Sequence, residues 1–212
     1  MKRFWFFDLD GTLADTDRDI RLAWRAAMSD LGLVCPDFES RFVAGPPIEA
    51  MAKALFPDTY TDEMGLRLRE RFGAHYDSDG FPETKEYPGV MDRVRAIKAS
   101  GAKVYIVTNK RYVGAKAMAA KFGWMDVFDG LYAGDMHKDD PSIGKLSKGA
   151  LIARIMVEKG ASPEECVMVG DTISDFDAAR ENRVESVGVA WGYAKGAELS
   201  EADRLANKPE EI

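Results

Sequence analysis

The 212-residue sequence predicts an α/β fold, a parallel sheet core interrupted after its first strand by an inserted helical bundle. Three observations carry this expectation. The apolar run Phe4-Trp5-Phe6-Phe7 reads as a strand covered on both faces. Two further short apolar runs, Lys103 to Val107 and Cys166 to Val169, alternate with segments of helical period, and such alternation builds a parallel sheet. Between about residues 14 and 86 the apolar residues instead recur at helix spacing.

The first strand runs directly into Asp8-Leu9-Asp10-Gly11-Thr12, where Gly11 and Thr12 mark the turn out of the sheet. A polar turn would use the same residue types. Two carboxylates this close, however, are retained in a folded protein only with a cation or a proton between them. Ligands of open α/β sheets sit just beyond strand ends, so this end is a candidate metal site. Asp15, Asp17 and Asp19 also alternate, but a calcium loop of the EF-hand type would need glycine at Ile20 and an acidic ligand at Ala26.

In the helical segment, Ile20, Trp24, Ala27 and Leu31 mark one helix and Met64, Leu68, Phe72 and Tyr76 a second. Thr61-Asp62-Glu63 suits the start of the second, with acidic residues where the helix dipole favours them. After Pro88-Gly89 the pattern gives a helix from Val90 to Ala99, then the strand ending on Thr108-Asn109, then a helix from near Arg111 to about Phe122. Lys148 opens a helix reaching Glu158, with Leu151, Ile152 and Ile155 on its apolar face. The last strand, Cys166 to Val169, ends on Gly170-Asp171, with Asp175 four residues on. These two carboxylates would also suit a helix starting near Asp175 with Ser174 as its N-cap. Thr108, Asn109, Lys148, Asp171 and Asp175 thus all lie at strand carboxyl ends or helix starts, which in a parallel sheet is one edge of the domain.

Composition agrees with a compact fold: 46% of residues are apolar, enough for a sizeable core. The net charge of −7 argues against a nucleic-acid partner, which would want a basic face. Cys35 and Cys166 form no CxxC pair and read as reduced thiols. Four apolar residues before Asp8 are too few for a signal-peptide core, and no run approaches membrane-spanning length. The expected location is the cytoplasm, without membrane partners and as a monomer or homodimer. His75 and His137, the only histidines, are too isolated for a histidine metal site. Walker, GxGxxG and GxSxG patterns are absent.

Phe7-Asp8-Leu9-Asp10-Gly11-Thr12-Leu13, the strand-ending Thr108, Lys148, and Gly170-Asp171-Thr172-Ile173-Ser174-Asp175 resemble the four ordered motifs of the haloacid dehalogenase superfamily of phosphatases. Arg41 to Pro47 and Tyr87-Pro88-Gly89-Val90 resemble its phosphoglycolate phosphatase-like branch. The resemblance covers essentially the whole chain. It implies a Rossmann-like catalytic core, residues 1–14 and 86–212, and an inserted α-helical cap, residues 15–85. It further implies a magnesium-dependent phosphatase of small phosphomonoesters, with Asp8 as the nucleophile forming an aspartyl phosphate and Asp10 as general acid and base.

On the same resemblance, Mg2+ is held by Asp8, the Asp10 backbone carbonyl and Asp171, with Asp175 as a direct or water-linked ligand. Thr108, Asn109 and Lys148 bind the phosphate, aided by the helix start after Asn109. Arg41 and Lys53 on the cap are candidates for an anionic substrate tail, beside the ordinary role of solvated surface charges. The stretch Asp135 to Ser142 is longer than in the relatives it resembles. A phosphomutase, phosphotransferase or phosphonate hydrolase of the superfamily would share the core residues. Asp10 argues against a dehalogenase, which lacks that second aspartate. A receiver domain would lack both the helical insert and the Gly-Asp-x-x-x-Asp pattern.

Overall fold

The computed structural model describes residues 2–136 and 144–212. From the amino end, strand β1 (Phe4–Phe7) leads through a tight turn to the two-residue β2 (Ala14–Asp15). Helices α1 (Asp17–Asp30), α2 (Phe38–Arg41), α3 (Ile48–Leu55) and α4 (Asp62–Ser78) follow, then β3 (Lys85–Glu86). The remainder alternates: α5 (Val90–Ala99), β4 (Lys103–Thr108), α6 (Tyr112–Lys121), β5 (Gly130–Ala133), α7 (Lys148–Lys159), β6 (Cys166–Gly170), α8 (Ile173–Glu181), β7 (Glu185–Val189) and β8 (Arg204–Ala206). Two compact units result, one running to Asp15 and resuming at Lys85, the other spanning Thr16–Thr84.

The first unit is built on a six-stranded sheet in the order β5-β4-β1-β6-β7-β8, with every pairing parallel. The α/β Rossmann-like prediction therefore holds. All four residues of β1 are buried because it lies between β4 and β6, with Phe7 level with Ile106 on one side and Val169 on the other. The chain runs outward from β1 through β4 to β5 and then returns to place β6 on the opposite flank. Such a reversal of strand order opens a crevice at the carboxyl ends of the strands.

Phe4 and Phe6 project to one face, where they pack with Tyr105, Leu151, Ile155, Met168 and Ala179 under α7 and α8. Trp5 and Phe7 take the other face, where the Phe7 ring meets Phe128 edge-on at 6.0 Å. This division follows from right-handed crossovers, which send the helices of outward and returning connections to opposite faces. The two-residue strands pair antiparallel, Ala14 with Glu86 and Asp15 with Lys85.

Three sheet strands, β5, β7 and β8, are additions to the three predicted. Their sequences, Gly-Leu-Tyr-Ala, Glu-Ser-Val-Gly-Val and Arg-Leu-Ala, are short and carry glycine or polar residues that dilute an apolar signal. Gly188 in β7 has a packing reason: Ala202 and Leu205 on one side and the Phe176 ring on the other leave little room for a side chain.

The unit Thr16–Thr84 is helical, with α1 against α4 and α3 beside α4. Its core is aromatic: Trp24 lies 5.6 Å from Phe42 and 6.1 Å from Phe72, which stacks on Tyr76 at 5.1 Å. Thr61 is the N-cap of α4, its side chain accepting from Met64 N–H at 3.1 Å, which satisfies one of the helix's unpaired first-turn amides. Leu31 lies just past the end of α1, where the buried face is completed by Ala23, Ala27 and Met28. Buried Asp19, from the acidic alternation, accepts from the Glu83 and Thr84 amides and from Thr84 Oγ1. It ties α1 to the end of this unit.

Candidate active site

The carboxyl ends of β1, β4 and β6 supply the site. Beyond β1 the chain doubles back so tightly that the Leu9 carbonyl accepts from the amides of Thr12, Leu13 and Ala14. Gly11 sits at φ +81, and a Cβ there would overlap the Asp171 carboxylate. Glycine is needed on both counts, a left-handed backbone and the close approach of an anion. The Gly170 and Gly192 positions are equally tight, a Cβ at the former striking Asp175 and at the latter striking Asp171. Three glycines thus cradle two carboxylates.

Asp8, Asp171 and Asp175, all buried, bring one oxygen each to within 4.8 Å of one another. Lys148 Nζ stands 3.1 Å from Asp8 Oδ1 and contacts Asp175 Oδ1. Its side chain is only 2% exposed. The ammonium is delivered by the start of α7, whose N-cap Ser147 accepts from Ala150 N–H. Asp171 is held by Thr12 Oγ1 (3.1 Å) and by the Tyr193 amide (2.7 Å). Asp175 accepts through Oδ2 from both the backbone N–H and the hydroxyl of Thr172, 3.0 Å each.

The last contact corrects one expectation. Helix α8 begins at Ile173 with Thr172 as N-cap and Asp175 as the reciprocal acidic residue of a capping box. Ser174 is therefore not the cap. Its hydroxyl instead accepts from Asn109 Nδ2 at 2.7 Å, linking the end of β4 to the start of α8. Asp175 does two things at once: one oxygen caps a helix and the other faces Lys148.

Thr108 is buried and its Oγ1 accepts from Lys110 N–H. Helix α6 begins at Tyr112, as predicted, but the Tyr112 amide donates to Asp135 Oδ1 at 2.7 Å. A carboxylate of the protein thus already occupies part of the positive helix end assigned to phosphate. His137 and residues 137–142 of the Asp135 to Ser142 loop lie outside the described residues. Arg41 belongs to the helical unit, where it pairs with Asp37 and donates to the Ala54 carbonyl. In the same unit Lys53 is exposed beside the Tyr60 ring, and His75 meets Asp30 at 2.9 Å.

The electrostatics follow from crowding. Burial, with Asp175 and Asp10 adding repulsion against the attraction of Lys148, pushes the Asp8 carboxyl up to about 7. Burial and the neighbouring Asp175 and Asp8 hold Asp171 well above the ordinary carboxylate range. For Lys148, burial disfavours the ammonium, yet Asp175 and Asp8 outweigh it and raise the pKa above a lysine's usual value. Asp8 Oδ1 is buried without an aligned hydrogen-bond donor.

Among the described residues, Asp8, Asp10, Asp171 and Asp175 face Lys148 and Lys110, with Asp10 2.9 Å from Lys110, so carboxylates outnumber ammonium groups. An all-oxygen donor set is the chemistry of a hard cation such as magnesium, so these residues fit such an ion.

Thr12, Lys110, Ser174, Gly192 and the Tyr193 amide were not anticipated. Lys110 had a usable signal, being the second polar residue in sequence after the strand end at Thr108. Gly192 and Tyr193 follow the apolar run of β7 in the same manner. Trp191 belongs with them, its Nε1 donating to the Thr12 carbonyl at 3.1 Å.

Residues 5–189 match the family described as haloacid dehalogenase-like hydrolase. The chain is 30% identical over 196 residues to a phosphoglycolate phosphatase of Agrobacterium fabrum, covering 88% of this chain and 80% of that protein. It is 28% identical, also over 196 residues, to a 5'-nucleotidase of Pseudomonas aeruginosa, covering 91% and 85%. Among solved structures it resembles a haloacid dehalogenase-like family hydrolase from Streptococcus pneumoniae, with a TM-score of 0.85 and 28% identity, covering 99% of this chain and 96% of that one. Among the described residues, no helix is long and apolar enough to cross a membrane.

Proposed function

This chain belongs to the haloacid dehalogenase-like hydrolases, and on that premise we propose that it is a magnesium-dependent phosphatase of small phosphomonoesters acting through an aspartyl phosphate on Asp8. The observation that carries the reading is the convergence of Asp8, Asp171 and Asp175 on one another, with the Lys148 ammonium against them, at the ends of adjacent strands. Phosphoryl transfer needs an in-line nucleophile, neutralised phosphoryl oxygens and a proton for the leaving alcohol, and residues on this edge can fill each role.

Asp8 attacks phosphorus through a carboxylate oxygen as the ester P–O bond breaks. Asp10 gives its proton to the departing alkoxide, then takes one from the water that hydrolyses the acyl phosphate. Lys148, fixed at a helix start, and Thr108, at the end of a buried strand, donate to the phosphoryl oxygens. Asn109 contributes its backbone amide, since its side chain is engaged with Ser174. Asp171 and Asp175, with Asp8 and the Asp10 carbonyl, would hold magnesium, which when bound supplies positive charge to the phosphoryl oxygens. Arg41 is the cap residue proposed to meet an anionic substrate tail.

Phosphoglycolate is the first substrate to test, given the Agrobacterium relative, with nucleoside monophosphates next. Phosphate release from a panel of phosphorylated metabolites should vanish in chelator, return with magnesium and stay poor with calcium, whose looser shell distorts an in-line geometry. Asp8→Asn should abolish it while the protein stays folded. Full activity in chelator, or near-normal turnover by Asp8→Asn, would overturn the mechanism.

A further inference from the structure

Lys110 is a buried cation to which the proposed mechanism gives no task. Its side chain is 5% exposed, unusual for a lysine, and its ammonium lies 2.9 Å from Asp10 Oδ1. The two residues extend from β4 and β1, which are hydrogen-bonded neighbours in fixed register, Phe7 opposite Ile106. The Lys110 backbone is also anchored, its N–H donating to Thr108 Oγ1 at 3.2 Å. Asp10, by contrast, sits on the turn that leaves the sheet, and its side chain is 22% exposed. A carboxylate on such a turn has several rotamers within reach of water. The anchored ammonium selects one.

We infer that Lys110 is a positioning residue for Asp10. Its ion pair to Oδ1 holds the carboxyl group in one orientation and leaves Oδ2 to carry the proton. In the first step that proton passes from Asp10 Oδ2 to the leaving-group oxygen as its bond to phosphorus breaks. In the second, Asp10 receives a proton from the attacking water. Lys110 gives up no proton in either. The inference rests on the phosphatase reading above and adds to it a residue that serves the reaction through Asp10. A direct role for Lys110 in gripping a charged part of the substrate is the competing outcome, and leaving-group chemistry separates the two.

The test compares phenyl phosphate with p-nitrophenyl phosphate, whose leaving groups carry no charged substituent for a lysine to grip but differ in their need for a proton. Lys110→Met should lower kcat/KM for phenyl phosphate on the order of 10²-fold, the size of loss seen when a reacting group is misplaced by about 1 Å, and Lys110→Gln should lower it by less. For p-nitrophenyl phosphate, whose phenolate leaves unaided, the loss should be far smaller. In an Asp10→Asn background, Lys110→Met should add little, because two residues acting as a unit are not additive.

Equal losses on both substrates, a loss confined to KM, or a full additional loss in the Asp10→Asn background would overturn the inference while leaving the phosphatase reading intact. A wild-type protein that hydrolyses neither ester with magnesium would overturn both. Lys110→Gln keeps a hydrogen-bond donor near Asp10, so a variant folded by its melting curve is available if Lys110→Met is not.

Discussion

Lys148→Met is the perturbation with the most to say about the site. Methionine fills much of the lysine's volume, so what is removed is one ammonium from among Asp8, Asp175 and the nearby Asp171. Losing one preorganised donor to the phosphoryl group should cost about 2.7–4 kcal/mol of transition-state stabilisation, or roughly 10²–10³ in kcat. Metal affinity should move the other way. A positive charge about 4 Å from a carboxylate also repels any cation bound there, by on the order of 4 kcal/mol per unit charge before relaxation and screening. The variant should therefore bind magnesium at least about tenfold more tightly, measured by calorimetric titration of chelator-treated protein. Slower turnover with tighter metal is an unusual combination, and a general loss of structure would not produce it. Lys145→Ala, an exposed position, should change neither quantity appreciably. A Lys148→Met protein with near-normal kcat/KM, or with weakened magnesium binding, would refute the charge balance drawn from the geometry.

Gly192→Ala should weaken magnesium binding and lower the melting temperature, because the new Cβ displaces Asp171; overpacking of this kind costs about 1–3 kcal/mol. Gly144→Ala, where a Cβ meets nothing among the described residues, is the control, and equal melting temperatures for the two would refute the cradle. Asp129 offers a pH test away from the site. Burial opposes its ionisation, but the Val104 amide and Lys103, with Lys98 nearby, hold its carboxyl below the usual range. Its stabilising contribution is therefore present above the unfolded value near 4 and lost as pH falls through the lower folded value. Asp129→Asn should cost about 1–3 kcal/mol at pH 7, a gap in urea midpoints that narrows below pH 4. A gap that widens in acid would contradict the assignment.

The sheet core was legible where burial on both faces forced a purely apolar run, as in Phe4–Phe7 and Cys166–Gly170. It was not legible where a strand is short or needs glycine for a close neighbour, as β7 does at Gly188. The helix starts at Tyr112 and Lys148 could be read from the sequence because strand and helix periods meet there. The α8 start was misplaced by treating Ser174 as the cap, when Thr172 and Asp175 form a reciprocal pair that spacing alone could have suggested. Within the site, the carboxylates and Lys148 were named from sequence and stand together in space. Lys110 was missed because its partner lies 100 residues away. Gly192 was missed because what it makes room for, Asp171, is visible only after folding.

The antiparallel pairing of Ala14–Asp15 with Lys85–Glu86 bears on how such a chain can change over evolutionary time. These four residues fasten together the two points where the helical segment leaves and rejoins the sheet unit. With the ends already clasped, the entropy of closing the excursion grows only logarithmically with its length, by about 0.6 kcal/mol for each doubling. A longer, shorter or wholly different insert could therefore replace Thr16–Thr84 with little penalty to the strands that carry Asp8, Thr108 and Asp171. The helical module and the strand ends could then change separately, the first by wholesale exchange and the second residue by residue.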